Sequence, residues 1–413
     1  MSHLLSSKSE TESRKGGRQT ALRFVLLLGV VSLFADMTYE AARSITGPYL
    51  AMLGASATVV GIVAGFGELI GYGLRIVSGV ISDRTHRYWA VTIVGYAVNL
   101  LAVPALALAG NWEIAAVLIM VERFGKAIRT PAREAMLSHA AHGLGRGWAF
   151  GVHEAMDQVG AMIGPVIFAV VLAWKGSYQY GFAVLAVPAL LALAVLAVAR
   201  ITYPHPHDLE PSFHASDAIG LRSTFWLYLV AVACIALGFA DYPLAAFHMK
   251  TAAIVADQWI PLIYAGAMGV DALSALVFGR LYDRKGFPVL LTMIAASAWC
   301  APLVFLSGPV LLTVGMALWG VGMGAQESII RAVVANIVPR DRRATGYGIF
   351  NAGFGLAWFA GSALMGLLYD RSLMALATFS VVAQLASLPL LYSVHKRLTP
   401  MQSELNQSRG RVN

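Results

Sequence analysis

Gly79-Val80-Ile81-Ser82-Asp83-Arg84 ends one apolar run of the chain, and Gly279-Arg280-Leu281-Tyr282-Asp283-Arg284 ends another. Both stretches follow the pattern Gly-x-x-x-Asp-Arg, and a basic residue comes soon after each of them, at Arg87 and at Lys285. A Phe-Ala-Asp triplet also occurs twice, at residues 34–36 and 239–241. Such repeats at corresponding positions indicate that the chain consists of two homologous halves.

The composition places the chain in a membrane. It has 413 residues, of which 58% are hydrophobic and 13% are charged, and its mean hydropathy is +0.68. Soluble domains carry roughly 25% charged residues, so a water-soluble protein is excluded. Charge-free runs such as residues 181–199 disfavour a β-barrel, because a membrane-spanning helix needs about 20 consecutive apolar residues.

We therefore predict an all-α integral membrane protein with twelve transmembrane helices in two pseudo-symmetric six-helix halves. We predict the helices near residues 22–50, 57–82, 88–109, 112–139, 147–174, 178–200, 223–250, 257–281, 287–306, 309–338, 343–368 and 372–396. The halves are residues 21–200 and 223–397. A cytoplasmic linker at 201–222 joins them, and cytoplasmic tails at 1–20 and 398–413 flank them.

Basic residues are concentrated on one side of the predicted membrane topology. The opposite loops carry only Lys175, Lys250 and Arg371. Since cytoplasmic loops are enriched in Lys and Arg, this asymmetry predicts a multi-pass protein of the cell (inner) membrane with both termini in the cytoplasm. The net charge of +8 then reflects topology, and we expect no nucleic-acid partner. The linker histidines, His205, His207 and His214, are either solvated or metal-binding; no Cys or carboxylate cluster frames them, so we expect no metal site.

The repeated Gly-x-x-x-Asp-Arg turn, at the junctions between the second and third and between the eighth and ninth predicted helices, resembles the signature loop of the major facilitator superfamily. This resemblance implies the major facilitator fold and secondary transport of a small-molecule substrate across the lipid bilayer. It also leads us to expect a monomer that needs no cofactor and draws its energy from a proton gradient.

Two further stretches narrow the resemblance. The fifth helix contains Gly151, Gly160 and Gly164-Pro165, which resembles the fifth-helix motif of the superfamily's twelve-span drug:proton antiporters. The usual trailing Gly-Gly is Phe168-Ala169 here, and ordinary packing of small residues is the alternative explanation. Residues 122–133 resemble the fourth helix of a poorly characterised prokaryotic branch, with several additional basic residues.

Ionisable side chains inside a membrane are costly and are functional by default. Asp36, Glu40 and Arg43 are spaced to share one face of the first helix. Burial favours a protonated carboxyl and a nearby base favours the carboxylate, so groups balanced between the two can bind and release a proton. Our proton-coupling candidates are Asp36, Glu40 and Asp241. The alternative is a static ion pair with Arg43 or with a base of the fourth helix.

The remaining candidates have other predicted roles. For the substrate cavity, which the superfamily lines largely with helices one, four, seven and ten, they are Arg43, Glu68, Glu122, Arg123, Lys126, Glu327 and Arg331. For gating they are Asp83, Arg84, Arg87, Arg129, Arg133, Glu154, Asp157, Asp283 and Arg284. The resemblance implies that Asp83 meets the start of the eleventh helix, where a helix N-terminus favours negative charge. Aromatic residues such as Trp319 and Trp358 either stack on a flat substrate or face lipid.

These features favour a proton-coupled exporter (antiporter) of a small organic or drug-like molecule. The alternative is uptake or exchange of a small organic anion that binds the basic fourth helix. A membrane enzyme or a transport-like receptor is a third class. We do not expect an enzyme: the chain has no Gly-x-x-x-x-Gly-Lys-Ser/Thr sequence of an ATPase, and no Ser/His/Asp signature stands out.

Overall fold

The structure is a computed structural model. It describes the backbone of residues 2–85, 87–141, 146–204, 223–330, 333–334, 337–338 and 343–410, and most of the side chains between residues 19 and 398. Within these ranges every regular element is a helix, and there is no strand. The prediction of an all-α protein is therefore confirmed.

The helices form twelve spans, which we number in chain order. Their bounds are Ser2–Met52, Ala57–Thr85, Tyr88–Ala105 (extended by the 3-10 turn Leu106–Leu108), Trp112–Ala141, Arg146–Lys175, Tyr178–Val184 with Ala186–Thr202, Ser223–Gly238 with Tyr242–Thr251, Trp259–Lys285, Phe287–Ser297 with Cys300–Phe305, Pro309–Gly324 with the π-helical turn Ala325–Ile330, Arg343–Tyr369 and Leu373–Gly410.

Eleven of these spans are long and apolar enough to cross a membrane, counted over the described residues. The exception is span four. It has 30 residues, which is sufficient length, but it carries the ionisable groups that the sequence placed there. Its composition therefore marks it as a helix whose polar face is covered by protein.

Span seven differs from the continuous helix predicted at 223–250. Its first helix ends at Gly238 and the second begins at Tyr242, with Asp241 in extended conformation before it. Pro243 explains the break, because it has no N–H to donate to the carbonyl four residues earlier. Discontinuous helices near the middle of the membrane are typical of binding sites in secondary transporters.

The chain forms two compact units. The first unit contains residues 1–43 and 74–214, and the second contains residues 44–73 and 215–413. The end of span one and the first part of span two therefore pack with the second unit. The predicted linker lies outside the described residues from 205 onward, and the division into homologous halves stays a prediction.

Glycines permit close packing of backbones in both units. In the first unit, spans three and four are in close contact, and a methyl group added at Gly95 would lie 2.7 Å from the backbone nitrogen of Arg129. In the second unit, a methyl group at Gly61 would overlap the Ser362 carbonyl oxygen, and one at Gly366 would lie 2.6 Å from the Ala57 oxygen. Small residues at helix contacts are how membrane helices approach closely.

Asp370, just after span eleven, caps the start of span two within the second unit. Its carboxylate accepts hydrogen bonds from the Ala57 N–H at 3.3 Å, the Thr58 N–H at 2.9 Å and the Thr58 hydroxyl at 2.6 Å. The first N–H groups of a helix have no partner within the helix. A side chain 312 residues away in the sequence thus supplies the cap.

We expect Asp370→Ala to lower the free energy of unfolding by about 1 kcal/mol, the usual loss when a helix cap is removed. Asp370→Asn is the matched control, since its amide oxygen still accepts a hydrogen bond. The measurement is thermal unfolding of the purified protein in detergent. If the Ala variant unfolds at the wild-type temperature, the cap contributes nothing to stability.

Candidate functional site

A group of buried charges lies in the first unit, where spans one, three, four and five meet. Asp36 and Glu40 on span one are 5% and 6% exposed. The Lys126 ammonium lies 3.6 Å from a Glu40 carboxylate oxygen and 3.8 Å from the centroid of the Tyr39 ring. We call Asp36, Tyr39, Glu40, Lys126 and Arg129 the span-one cluster. A base of the fourth span thus lies beside Glu40.

Arg129 is the most deeply buried base of the cluster, with 1% of its surface exposed. Its guanidinium lies 4.2 Å from the Tyr96 ring centroid and 5.5 Å from that of Tyr39, which is within cation–π range. Its Nε and Nη1 atoms make no hydrogen bond to any group that the structure describes. Arg129 therefore keeps donors that can bind an additional acceptor.

Glu122 and Arg123 of span four are paired locally. Glu122 accepts a hydrogen bond of 2.7 Å from the Asn99 amide, and its second oxygen lies 3.3 Å from the Arg123 Nε. Asn99 is on span three, and Gly125 allows its backbone to come close, since a methyl group there would lie 2.8 Å from the Asn99 Cα. These contacts fix the rotation of span four against span three.

Span five adds a second polar group beside the span-one cluster. The Arg133 guanidinium lies 3.8 Å from the Asp157 carboxylate and donates a hydrogen bond of 2.9 Å to the Ser32 hydroxyl. The His153 imidazole contacts both Ser32, at 2.9 Å, and Asp157, at 3.4 Å. We call Ser32, Arg133, His153 and Asp157 the His153 ring.

In the second unit, the break in span seven holds a buried carboxylate, that of Asp241. Asp241 is 2% exposed, and the Trp358 indole N–H donates to it at 3.3 Å. The carbonyl oxygens freed by the break are also bonded: Trp319 donates to Ala240 at 2.9 Å and Ser380 to Gly238 at 2.6 Å. Both tryptophans are buried, so they do not face lipid.

The family of the chain follows from its sequence as a whole. The profile of the Major Facilitator Superfamily matches residues 28–362 and also residues 258–407. The chain belongs to the Major Facilitator Superfamily. The predicted superfamily is thereby confirmed, and membership indicates a transporter and not an enzyme. Its assignment to the drug:proton antiporter branch stays a prediction.

Similar proteins are known in bacteria and archaea. An uncharacterised protein of Mycobacterium bovis (strain ATCC BAA-935 / AF2122/97) is 43% identical over 394 residues, covering 92% of this chain and 96% of the relative. An uncharacterised MFS-type transporter of Methanocaldococcus jannaschii is 26% identical over 378 residues, covering 89% and 94%. A mutant of the nucleoside transporter NupG has a TM-score of 0.72 at 14% identity, covering 90% and 99%, which shows the fold alone.

The structure places the other candidates of this superfamily member as follows. Arg43 and Glu68 are half-buried, and Glu68 belongs to the second unit. Glu327 lies in the π-helical turn of span ten, a distortion frequent at functional sites. Arg331 lies outside the described residues.

The gating candidates lie in three kinds of place: in the His153 ring, elsewhere on spans four and five, and at the helix ends. Arg133 and Asp157 are in the ring, whereas Arg129 packs on tyrosines and Glu154 is exposed. Both copies of the signature sequence end a helix, at Thr85 and at Lys285. There Arg84, Arg87 and Arg284 are exposed, and the side chains of Asp83 and Asp283 are outside the described residues.

The fifth-helix motif divides into two kinds of position. A methyl group at Gly160 would overlap the Leu33 carbonyl oxygen, and one at Gly164 would overlap that of Met37. At Gly151, no atom of a neighbouring helix in the described part of the chain lies within 4 Å of an added methyl group. Pro165 is inside the helix Arg146–Lys175. Gly160 and Gly164 thus hold span five against the stretch of span one that carries Asp36.

Sequence reasoning missed His153, Ser32, Tyr96 and Asn99. The only local signal for His153 was its spacing of four residues from Asp157, which puts both on one helix face. Ser32, Tyr96 and Asn99 carry no charge, so nothing in their own spans distinguishes them from ordinary polar residues of a membrane helix.

Proposed function

We propose that this protein is a secondary active transporter that works by alternating access and exports a small organic molecule in exchange for protons. The observation that carries the proposal is the pair of buried carboxylates on span one, one of which lies 3.6 Å from Lys126. We place the protein in the inner membrane as a monomer with both termini in the cytoplasm.

The span-one cluster has the properties that coupling requires. An Asp36 carboxylate oxygen is buried and accepts no hydrogen bond from the described groups, so protonation of Asp36 removes the cost of burying an ion. Glu40 shares its base with the Tyr39 ring. A substrate or a conformational change that moves Lys126 changes the proton affinity of Glu40, and this is the linkage that antiport needs.

A second candidate function is uptake or exchange of a small organic anion. The observation in its favour is Arg129, whose Nε and Nη1 donors have no acceptor among the described groups. An arginine fork binds a carboxylate or phosphate at two points. In this function Arg129 holds the anionic group, and Tyr39 and Tyr96 surround it.

The test compares metabolites and toxin resistance in cells with and without the gene, with Asp36→Asn as a control in which proton-driven transport is lost. Export predicts that cells with the gene retain less of a compound, or tolerate more of a toxin, than both control strains. Uptake predicts faster removal of an organic anion from the medium, with loss of this removal in Arg129→Gln. Identical profiles in all strains over a broad range of compounds would argue against both functions.

We expect Asp83→Asn to impair transport with little loss of folded protein. The superfamily resemblance gives Asp83 a charge contact that forms during the conformational cycle, and Asn keeps the size of the side chain. Asp283→Asn, in the second copy of the loop, should have the smaller effect. The measurement is turnover of the identified compound in proteoliposomes at equal protein content. Wild-type turnover of Asp83→Asn would exclude a gating role.

A further inference from the structure

His153 is a buried titratable group that the proposed coupling mechanism does not use. It lies on span five with 3% of its surface exposed. A buried imidazole needs partners for both ring nitrogens. Both are present: Nε2 lies 2.9 Å from the Ser32 hydroxyl oxygen, and Nδ1 lies 3.4 Å from an Asp157 carboxylate oxygen.

These contacts close into a ring of four side chains. Arg133 Nη1 donates to the Ser32 oxygen at 2.9 Å, and the same atom lies 3.8 Å from the Asp157 oxygen that His153 contacts. The ring joins spans one, four and five through side chains that are each at most 15% exposed. Because these side chains contact one another, the position of the Ser32 hydroxyl hydrogen limits where the His153 imidazole can carry its hydrogen.

Counting hydrogens gives the protonation state of the imidazole. Arginine only donates, so Ser32 accepts from Arg133 and its single hydrogen remains for another acceptor. If that acceptor is Nε2 of His153, the neutral imidazole carries its hydrogen on Nδ1, and an Asp157 carboxylate oxygen lies 3.4 Å from that nitrogen. Ser32 and Nε2 of His153 are then paired and the tautomer is defined, while the Arg133 Nε and one Asp157 carboxylate oxygen make no hydrogen bond to a described group.

The ring also accommodates one additional proton. A proton on Nε2 reverses the bond to Ser32, whose oxygen has two lone pairs and then accepts from both Arg133 and His153. The Ser32 hydrogen turns to the Tyr96 hydroxyl oxygen, which lies 3.4 Å away. The two states differ by one proton, and neither requires a heavy atom to move.

The ring adjoins the proposed coupling carboxylate. Ser32 and Asp36 are four residues apart on span one, so they share a helix face. A methyl group at Gly160, three residues after Asp157, would lie 3.1 Å from the Asp36 Cβ. The charged groups that act on His153 are Arg129 and Arg133 on span four and Asp157 on span five, and Ser32 links the imidazole to Tyr96 on span three.

We propose that His153 is a second proton-binding site of this transporter, positioned by Ser32 and Asp157 to exchange a proton with Asp36. When the proton moves, Asp36 is left as a carboxylate and His153 becomes an imidazolium with Asp157 as its counterion. This inference rests on the proposed proton coupling and extends it from span one to span five.

The test is an NMR pH titration of the full chain in detergent micelles, with ¹³C and ¹⁵N in its histidines, and the proton itself as the ligand. His153→Gln identifies the resonance by its loss. We expect His153 in the Nδ1–H tautomer at neutral pH, a minority form for free histidine, and conversion to the imidazolium on acidification while the protein stays folded. The ¹³C and ¹⁵N chemical shifts of the imidazole ring distinguish the two tautomers. The structure assigns the tautomer only indirectly, from hydrogen bonds.

Two variants complete the test. Asp36→Asn should shift the titration midpoint of His153, because it removes a nearby charge, and Ser32→Ala should abolish the tautomer preference. His248 is the matched control: it is 4% exposed, and its Nδ1 contacts the Tyr369 hydroxyl at 2.8 Å. It should be unaffected by either change.

An Nε2–H tautomer, no titration, or a midpoint that is unchanged in Asp36→Asn would overturn the proposal. If Asp36→Asn does not fold, the proposal is tested by Ser32→Ala alone, in which the tautomer preference of His153 should be lost. The titration needs no substrate, so it can fail while transport data still support antiport. Conversely, gradient-independent transport would refute antiport and leave the titration result standing.

Discussion

Asp36→Asn and Glu40→Gln should each abolish accumulation of the substrate against its gradient when a proton gradient is the only energy source. Both changes keep the size of the side chain and remove the carboxylate that binds the proton. Exchange of labelled for unlabelled substrate at equal pH should persist, because exchange needs alternation and no net proton movement. The measurement is both assays on the same proteoliposome preparation.

The controls separate coupling from stability. Glu113→Gln changes an exposed carboxylate at the start of span four and should leave both assays unchanged. Glu40→Gln removes the counterion of Lys126, and breaking a buried ion pair costs about 3 kcal/mol or more. The double variant Glu40→Gln with Lys126→Gln should therefore recover stability and remain uncoupled.

The outcome for the single carboxylate variants decides the role of the cluster. If both variants keep wild-type accumulation, the carboxylates are structural. Coupling would then move to Asp241 at the break in span seven or to Asp157. Loss of accumulation together with loss of exchange would instead indicate a role in substrate binding or alternation.

Gly164→Ala should strongly destabilise the protein, and Gly151→Ala should not. A methyl group at Gly164 would overlap the Met37 carbonyl oxygen and lie 2.8 Å from the Met37 Cα. Both atoms belong to the backbone of span one, so no side chain can move aside. Overpacking of this kind costs about 1–3 kcal/mol or more, and we expect loss of most of the folded protein.

Gly151 provides a matched control in the same helix and the same motif. Among the described residues, no atom beyond its own helix backbone and chain neighbours lies within 4 Å of its added methyl group, and Ala in a helix is about 0.5–1 kcal/mol more favourable than Gly. The measurement is the monodisperse fraction and thermal unfolding of each purified variant. Equal stability of Gly151→Ala and Gly164→Ala would show that the contact between spans one and five does not depend on these glycines.

This comparison also separates the two explanations of the fifth-helix motif. If the glycines serve only to pack span five against span one, the effect of substitution follows the available space and Gly151 is tolerant. If the motif as a whole acts in antiport, Gly151→Ala should impair gradient-driven transport despite normal stability. The same two variants therefore test the antiporter-type assignment.

The amino-acid sequence by itself determined the membrane class, the twelve helices, the repeated loops and the superfamily. These properties are local: hydrophobicity over about 20 residues defines a span, and helical spacing alone puts Asp36 and Glu40 on one face. The sequence also limited the base beside Glu40 to Arg43 or the fourth span. It could not say which residue of the fourth span lies beside Glu40, because that depends on how span four is rotated.

The tertiary structure places Lys126 of span four beside Glu40, through backbone contacts at Gly95 and Gly125 that set the rotation of span four against span three. It also decided which residues form the His153 ring, in which Ser32 and His153 are 121 residues apart. The break in span seven and the cap of span two by Asp370 are likewise visible only in the structure. Each of these depends on which helices are neighbours and on how each is rotated about its axis. Neither quantity is encoded in the periodicity of a single span, so only the packed structure reveals them.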